Sequence, residues 1–344
     1  METPTRSVAP ETIAAAVSAV DRAARATTAA QGRLASGDTL TKDDESPVTV
    51  ADFAAQAIVC RSLADALGDV AVVGEEHPDD LADRPGLTVG IAELAAVGLG
   101  VDSLSIADVV DAVGLGTATA HPGGTYWTLD PIDGTKGFLR NAHYAIALAL
   151  IEDGEVVLGV LGCPNMTNDD MTNEAGSDDD VSTGVILVGA NGVASQMASG
   201  SSGAHDAGRP VRVDDPATLA DARFCESVES GHSDQDQSSR IAQLLGIDTD
   251  PFRIDSQCKY AAVARGDASI YLRLPTRADY VEKIWDHAAG KFVVECAGGV
   301  VTDVRGNPLD FSIGDRLTAN SGVIATSGRF HADIVAAVGS VLDS

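Results

Sequence analysis

Residues 126–140 read YWTLDPIDGTKGFLR. The run begins as a strand, Tyr126 to Leu129, and then breaks at Asp130-Pro131-Ile132-Asp133-Gly134. Pro131 fixes the backbone between the two acids. Asp130 and Asp133, three apart around a tight turn, can face one cation cluster, and the Ile132 carbonyl can add an oxygen. Gly134 permits a backbone shape in which its amide and that of Thr135 point at a phosphate. Thr135 adds a hydroxyl that can orient a water. Read alone, Asp-Pro-x-Asp-Gly is usually just a turn.

Two further stretches change that reading. Gly74-Glu75-Glu76 follows AVVG, a short apolar strand at 71–74. Trp285-Asp286-His287-Ala288-Ala289-Gly290 stands where a helix opens. Each has a bland reading: solvated loop charges for the glutamates, a helix-start acid for Asp286. Together they place three carboxylate groups at element ends, able to converge on one point. Hard oxygen donors of this kind suit magnesium rather than zinc.

The rest of the chain reads as layered α/β. Helices are expected from Pro10 to about Ala30 and from Thr49 to Leu67, with a shorter helical piece near 105–113. Residues 81–123 are otherwise interrupted by Gly and Asp. AIALALIEDGEVVLGVLGCP, 145–164, is a hairpin turning on Glu-Asp-Gly. Residues 165–209 form an acidic, polar linker or hairpin region. Past them, short β-like and helical runs alternate to the end. The expected division is an N-terminal α+β half, 1–164, carrying most metal ligands, and a C-terminal α/β half, 210–344.

The 344 residues carry 51 acids and 23 basic groups, a net charge of −28. That balance argues against nucleic-acid binding and against docking on anionic lipid. A local site holding cations can still take an anionic small molecule. High Asp and only five lysines suggest a surface adapted to concentrated salt, where self-repulsion is damped. Five cysteines without a C-x-x-C pair suit a reducing cytoplasm, and no secretory signal or membrane span is evident.

GEE, WTLDPIDGTKGFLR and IWDHAAGKFVVECAGGVVTD, in that order, resemble the inositol monophosphatase superfamily of lithium-sensitive, magnesium-dependent phosphatases. SPVTVADFAAQ (46–56), VVGEE (72–76), DGTKGFLR (133–140), GHS (231–233), DSQCKY (255–260) and YLRLP (271–275) are similar to its 3′(2′),5′-bisphosphate nucleotidase branch. Monophosphatases typically read DGTTNF where this chain has DGTKGF. The resemblance implies an α/β (α+β) fold, a layered αβαβα sandwich. It implies that Glu75, Asp130, the Ile132 carbonyl, Asp133 and Asp286 bind two or three magnesium ions. Asp52 and Thr135 would position the attacking water, with Glu75 beside them, and Glu76 would stand behind.

The resemblance further implies that Gly134, Thr135, His232, Asp255, Ser256, Lys259 and Arg273 surround a nucleotide bisphosphate. Lys259 and Arg273 would meet its 5′-phosphate, since Arg bonds phosphate as a fork and Lys as a point charge. Arg140 is either structural or substrate-facing. The implied reaction is hydrolysis of the 3′-phosphate of adenosine 3′,5′-bisphosphate by metal-activated water, with the related sulfo-nucleotide as a further substrate. It would recycle a by-product of sulfate activation. The rivals are an inositol phosphate phosphatase of the same superfamily and a non-catalytic nucleotide sensor.

Overall fold

Alanine-rich helices form the outermost layer of the N-terminal half. The computed structural model describes residues 6–35, 47–81, 84–168, 183–200, 208–228, 235–275, 277 and 280–344. Helix α1 (Pro10–Ala35) starts on a proline, whose missing N–H is no loss in a first turn. It buries Ala16, Ala19, Val20, Ala23 and Ala24 along one stripe. α2 (Pro47–Leu67) is buried on almost every side from Val50 to Cys60. α3 (Pro85–Leu99) and α4 (Ile106–Gly114) pack against it. α4 opens on a capping box between Ser105 and Asp108.

These helices cover one face of a seven-stranded sheet. Its strands are β1 (Val72–Gly74), β2 (Thr125–Asp133), β3 (Ala145–Glu152), β4 (Glu155–Thr167), β5 (Thr183–Ala190), β6 (Val193–Ala198) and β7 (Arg209–Pro210), in chain order. β1 and β2 are parallel, and the remaining pairs are antiparallel. The 165–209 segment, polar in composition, thus supplies β5 and β6. β2 also runs on past the expected turn. It reaches Asp133, with a bulge against β3 between Asp130 and Asp133. Pro131 fits there because β1 pairs only as far as Leu129 and the β3 ladder is already broken. A single helical turn, α5 (Thr135–Leu139), follows.

The second sheet has the order β11-β12-β10-β8-β9. It contains β8 (Phe224–Glu226), β9 (Phe252–Arg253), β10 (Ile270–Arg273), β11 (Val300–Thr302) and β12 (Val323–Thr326). α7 (Cys258–Arg265) and α8 (Ala288–Cys296) lie between the two sheets, and α6 (Gln235–Leu245) and α9 (His331–Leu342) cover the outside. The layers therefore run helix, sheet, helix, sheet, helix, as the resemblance implies.

Strand alternation sorts the core. Ile146, Leu148 and Leu150 of β3 face α1 and α2, whereas Ala145, Ala147 and Ala149 face the middle helices. Small residues on that side let α8 come close. A Cβ on Gly159 would lie 2.7 Å from the Ala289 carbonyl oxygen, and one on Gly189 3.0 Å from the Val293 Cα. Among the described residues, no helix is long and apolar enough to cross a membrane.

Candidate active site

The acids meet where β1 and β2 end against the start of α8. Asp130 is 3% exposed, Asp52 of α2 is 7% exposed, and Asp133 and Asp286 are half-buried. Glu75 follows β1, and its N–H donates to the Leu129 carbonyl at 3.2 Å. That bond stitches the first acidic loop to β2 one residue before Asp130. Ile132, whose carbonyl is the fifth candidate donor, anchors the strand end by burying its side chain.

Two glutamine side chains hold this cluster in shape. Gln56 stands one helical turn after Asp52. Its Nε2 donates to the carbonyls of Glu76 at 2.6 Å and Val113 at 3.2 Å, and its Oε1 accepts from the Glu76 N–H at 3.0 Å. One turn of α2 thus presents Asp52 and clamps the Glu75-Glu76 loop. Gln257, just before α7, ties the other side. Its backbone N–H donates to Asp133 Oδ2 at 2.5 Å. Its Nε2 donates to the Trp285 carbonyl at 2.8 Å, and its Oε1 accepts from the Gly290 N–H at 3.1 Å. The α8 N-cap, His287, makes no side-chain cap. Gln257 therefore satisfies a first-turn N–H of α8 from outside that helix and fixes the residues flanking Asp286.

Crowded, buried carboxylates resist ionisation. Burial raises the Asp130 pKa well above the ordinary range, and Glu75, Asp133, Asp286 and Asp52 add to the effect. Asp52 is raised well above it too, by burial and then by Glu76 and Glu75. Burial of the Glu75 carboxyl, with Asp286 and Glu76 beside it, pushes it up to about 7, although the residue keeps an exposed edge. Burial and Asp80 push Glu76 up to about 7. Burial and Asp286 raise Asp133, partly offset by Lys259, Arg273 and the Gln257 N–H. Asp130 Oδ1 is buried without a hydrogen-bond partner. An orphaned carboxylate oxygen amid four further acids fits a set of divalent cations, and an all-oxygen donor set fits magnesium.

A cavity of about 290 Å³ opens from the acids toward the C-terminal half. Asp133, Gly134, Thr135 and Asp286 line it together with Ser227, Asp255, Ser256, Lys259 and Arg273. Gly134 has φ +92°, and a Cβ there would lie 2.7 Å from the Ser256 Cβ. Only glycine fits both the dihedral and the space. Ser256 is itself left-handed at φ +64°, a strained position for a non-glycine residue. Lys259 is buried, donates to Ser227 Oγ at 3.1 Å and lies 5.3 Å from the Tyr271 ring centroid. Burial lowers its pKa, against the pull of Asp133.

Other candidates have protein partners. Asp255 accepts from Arg140 at 2.6 Å and from the Val228 N–H at 3.0 Å. Arg140 thus pairs with the protein while lining the cavity. Arg273 forks onto Glu282, Nε to Oε1 and NH2 to Oε2, both at 2.9 Å. Glu282, Asp286 and His287 bring ligand atoms within 4.8 Å of one another, but Arg273 and His287 already occupy the Glu282 carboxylate. His232 lies outside the described residues. Gln56, Gln257, Ser227 and Glu282 escape the sequence reading, although Gln56 and Gln257 fall inside the quoted motifs.

The inositol monophosphatase family profile matches residues 3–342. A 3′(2′),5′-bisphosphate nucleotidase of Emericella nidulans is 41% identical over 319 residues, 88% of this chain and 91% of the relative. One from Schizosaccharomyces pombe is 42% identical over 312 residues, covering 88% and 86%. One from Oryza sativa is 41% identical over 336 residues, covering 95% and 93%. Among solved structures, an inositol monophosphatase from Zymomonas mobilis aligns over 97% of this chain and 100% of that one, with TM-score 0.59 and 19% identity. One from Anabaena aligns over 93% and 95%, with TM-score 0.55 and 19% identity. These structural likenesses speak for the fold alone.

Proposed function

The chain belongs to the inositol monophosphatase family, and on that premise we propose that it is a magnesium-dependent 3′(2′),5′-bisphosphate nucleotidase. It hydrolyses the 3′-phosphate of adenosine 3′,5′-bisphosphate to AMP and phosphate, and takes the corresponding sulfo-nucleotide as well. The carrying observation is the polarity of the cavity. Two of the clustered acids, Asp133 and Asp286, share its lining with two buried or half-buried cations, Lys259 and Arg273. A ligand with two phosphates matches both kinds of group: one phosphate meets cations held by the acids, the other meets cationic side chains.

Glu75, Asp130, Asp133, Asp286 and the Ile132 carbonyl would hold two or three ions. Magnesium supplies the positive charge that draws phosphate oxygens into an acidic cleft and makes a water easier to deprotonate. Gly134 and Thr135 hold the 3′-phosphate through their amides. Thr135 Oγ1 orients the attacking water, and Asp52 receives its proton. Lys259 and Arg273 anchor the 5′-phosphate, with Ser256, Asp255 and His232 around the nucleoside. Attack is direct. Burial pushes the thiols of Cys60, Cys225 and Cys296 up to about 12, which keeps them protonated and poor nucleophiles.

The test is side-by-side turnover of adenosine 3′,5′-bisphosphate, inositol 1-phosphate, inositol 1,4-bisphosphate and fructose 1,6-bisphosphate with magnesium at low and high salt. The nucleotide should lead. An inositol phosphate ahead by about tenfold, or about 1.4 kcal/mol in discrimination, sinks the reading.

A further inference from the structure

Behind Arg273 stands a row of buried side chains that the proposed reaction does not use. Glu282 accepts from Arg273 Nε and NH2, both at 2.9 Å. His287 Nε2 lies 3.1 Å from Glu282 Oε2, and His287 Nδ1 lies 2.8 Å from the Tyr260 hydroxyl. With the ring proton on Nε2, the row has one direction: Tyr260 donates to His287, and His287 donates to Glu282. His287 and Tyr260 are fully buried, and Glu282 is 6% exposed.

The row controls where one guanidinium goes. Arg273 NH2 lies 3.7 Å from Asp286 Oδ2, against 2.9 Å from Glu282. Without Glu282, Asp286 is the next acid within reach, and a guanidinium there would compete for a carboxylate that the ions need. The fork onto Glu282 uses Nε and NH2, and NH1 takes no partner among the described residues. Arg273 lines the same cavity as Lys259 and Ser227.

We propose that Glu282, backed by His287 and Tyr260, is a positioning residue that presents Arg273 to the 5′-phosphate and keeps it from closing the 3.7 Å gap to Asp286. This rests on the nucleotide bisphosphate reading above. Glu282 touches neither substrate nor ions; it acts through Arg273. A purely structural network would affect all ligands alike. This one acts on ligands that carry a 5′-phosphate.

The experiment compares Glu282→Gln with wild type on adenosine 3′,5′-bisphosphate and adenosine 3′-monophosphate, alongside equilibrium binding of AMP and adenosine. The variant should lose tenfold or more in kcat/KM on the bisphosphate, mainly through KM. Its loss on the 3′-monophosphate should stay within about threefold, leaving a difference of about 0.7 kcal/mol or more between substrates. AMP should bind about tenfold more weakly, with adenosine little changed. Tyr260→Phe, which removes one hydroxyl at the far end of the row, should shift the same ratio in the same direction by a smaller factor. It serves as the test if Glu282→Gln does not fold. Equal losses on both substrates, with the wild-type preference for a 5′-phosphate intact, would overturn the inference alone. A wild type indifferent to the 5′-phosphate would overturn the substrate reading and the inference with it.

Discussion

Replacing Gln257 by leucine keeps the bulk of the side chain and removes its polar atoms. The Trp285 carbonyl and the Gly290 N–H then lose partners at 2.8 and 3.1 Å, both in buried surroundings. Each orphaned buried group costs about 1–3 kcal/mol, so the pair implies a stability loss of about 2–6 kcal/mol. A second effect follows from position. Trp285 immediately precedes Asp286, and Gly290 lies in the first turn of α8. Freeing both flanks loosens Asp286, so the magnesium needed for half-maximal activity should rise about tenfold or more. Urea unfolding by tryptophan fluorescence in EDTA reads the first effect, and a magnesium titration of phosphate release reads the second. Gln196→Leu is the control. Gln196 is equally buried, bonds Asn168 from β6, and stands far from the acids across the first sheet. It should lose stability and keep its magnesium requirement. A stability loss below about 1 kcal/mol for Gln257→Leu, or an unchanged magnesium requirement, would refute the reasoning.

Asp130→Asn removes the most crowded charge and should raise the melting temperature in EDTA while nearly abolishing phosphate release. A lower melting temperature would count against mutual repulsion as the dominant local force. The same repulsion gives the metal-free protein a pH dependence. Glu75 and Glu76 have folded pKa values raised from 4.5 to about 7, so between those limits the folded state binds more protons than the unfolded one. Stability in EDTA should therefore fall as pH rises from about 5 to 8. Added magnesium should flatten that slope, and a rise with pH in EDTA would reverse the argument. Gly137→Ala places a Cβ 2.1 Å from the His143 carbonyl oxygen, backbone against backbone. The cost should be about 1–3 kcal/mol or more in urea unfolding, and a neutral result would mean that the 137–143 turn yields freely.

Glu75, Asp130 and Asp133 are legible in the sequence because each sits at a strand end beside Gly or Pro, where local punctuation marks the position; Asp52, inside α2, and Asp286, between Trp285 and His287, are legible only through the family resemblance. Gln56 and Gln257 are not, because their partners are distant in sequence: Glu76 and Val113 for one, Trp285 and Gly290 for the other. A glutamine inside a helix, like Gln56, or just ahead of one, like Gln257, carries no local mark of such an errand. Arg273 reads as a phosphate contact, but its fork onto Glu282 depends on a return of the chain that pattern cannot place. α3 escapes for another reason. Its apolar residues leave no clear polar face, and it contains Gly90 and Gly98. At Gly98 a Cβ would lie 2.3 Å from Ile58 Cδ1, so the glycine that weakens the helical signal is what lets α3 pack on α2. β5 and β6 lie in a segment whose composition reads as linker, yet Val185, Ile186, Leu187 and Val188 are core residues.

The placement of α7 and α8 between the two sheets has a consequence for biosynthesis. The ribosome releases Asp52, Glu75, Asp130 and Asp133 first, with the first sheet. Lys259, Arg273 and Asp286 emerge only with the last third of the chain. A nascent first half therefore carries its acids together before the side chains that balance them exist. Divalent ions met during translation can screen that charge, but the fifth carboxylate and the cavity's Lys259 and Arg273 must wait for the middle helices to dock. Catalytic competence is thus a late event in synthesis, gated by the arrival of α8 on the glycines of β4 and β5.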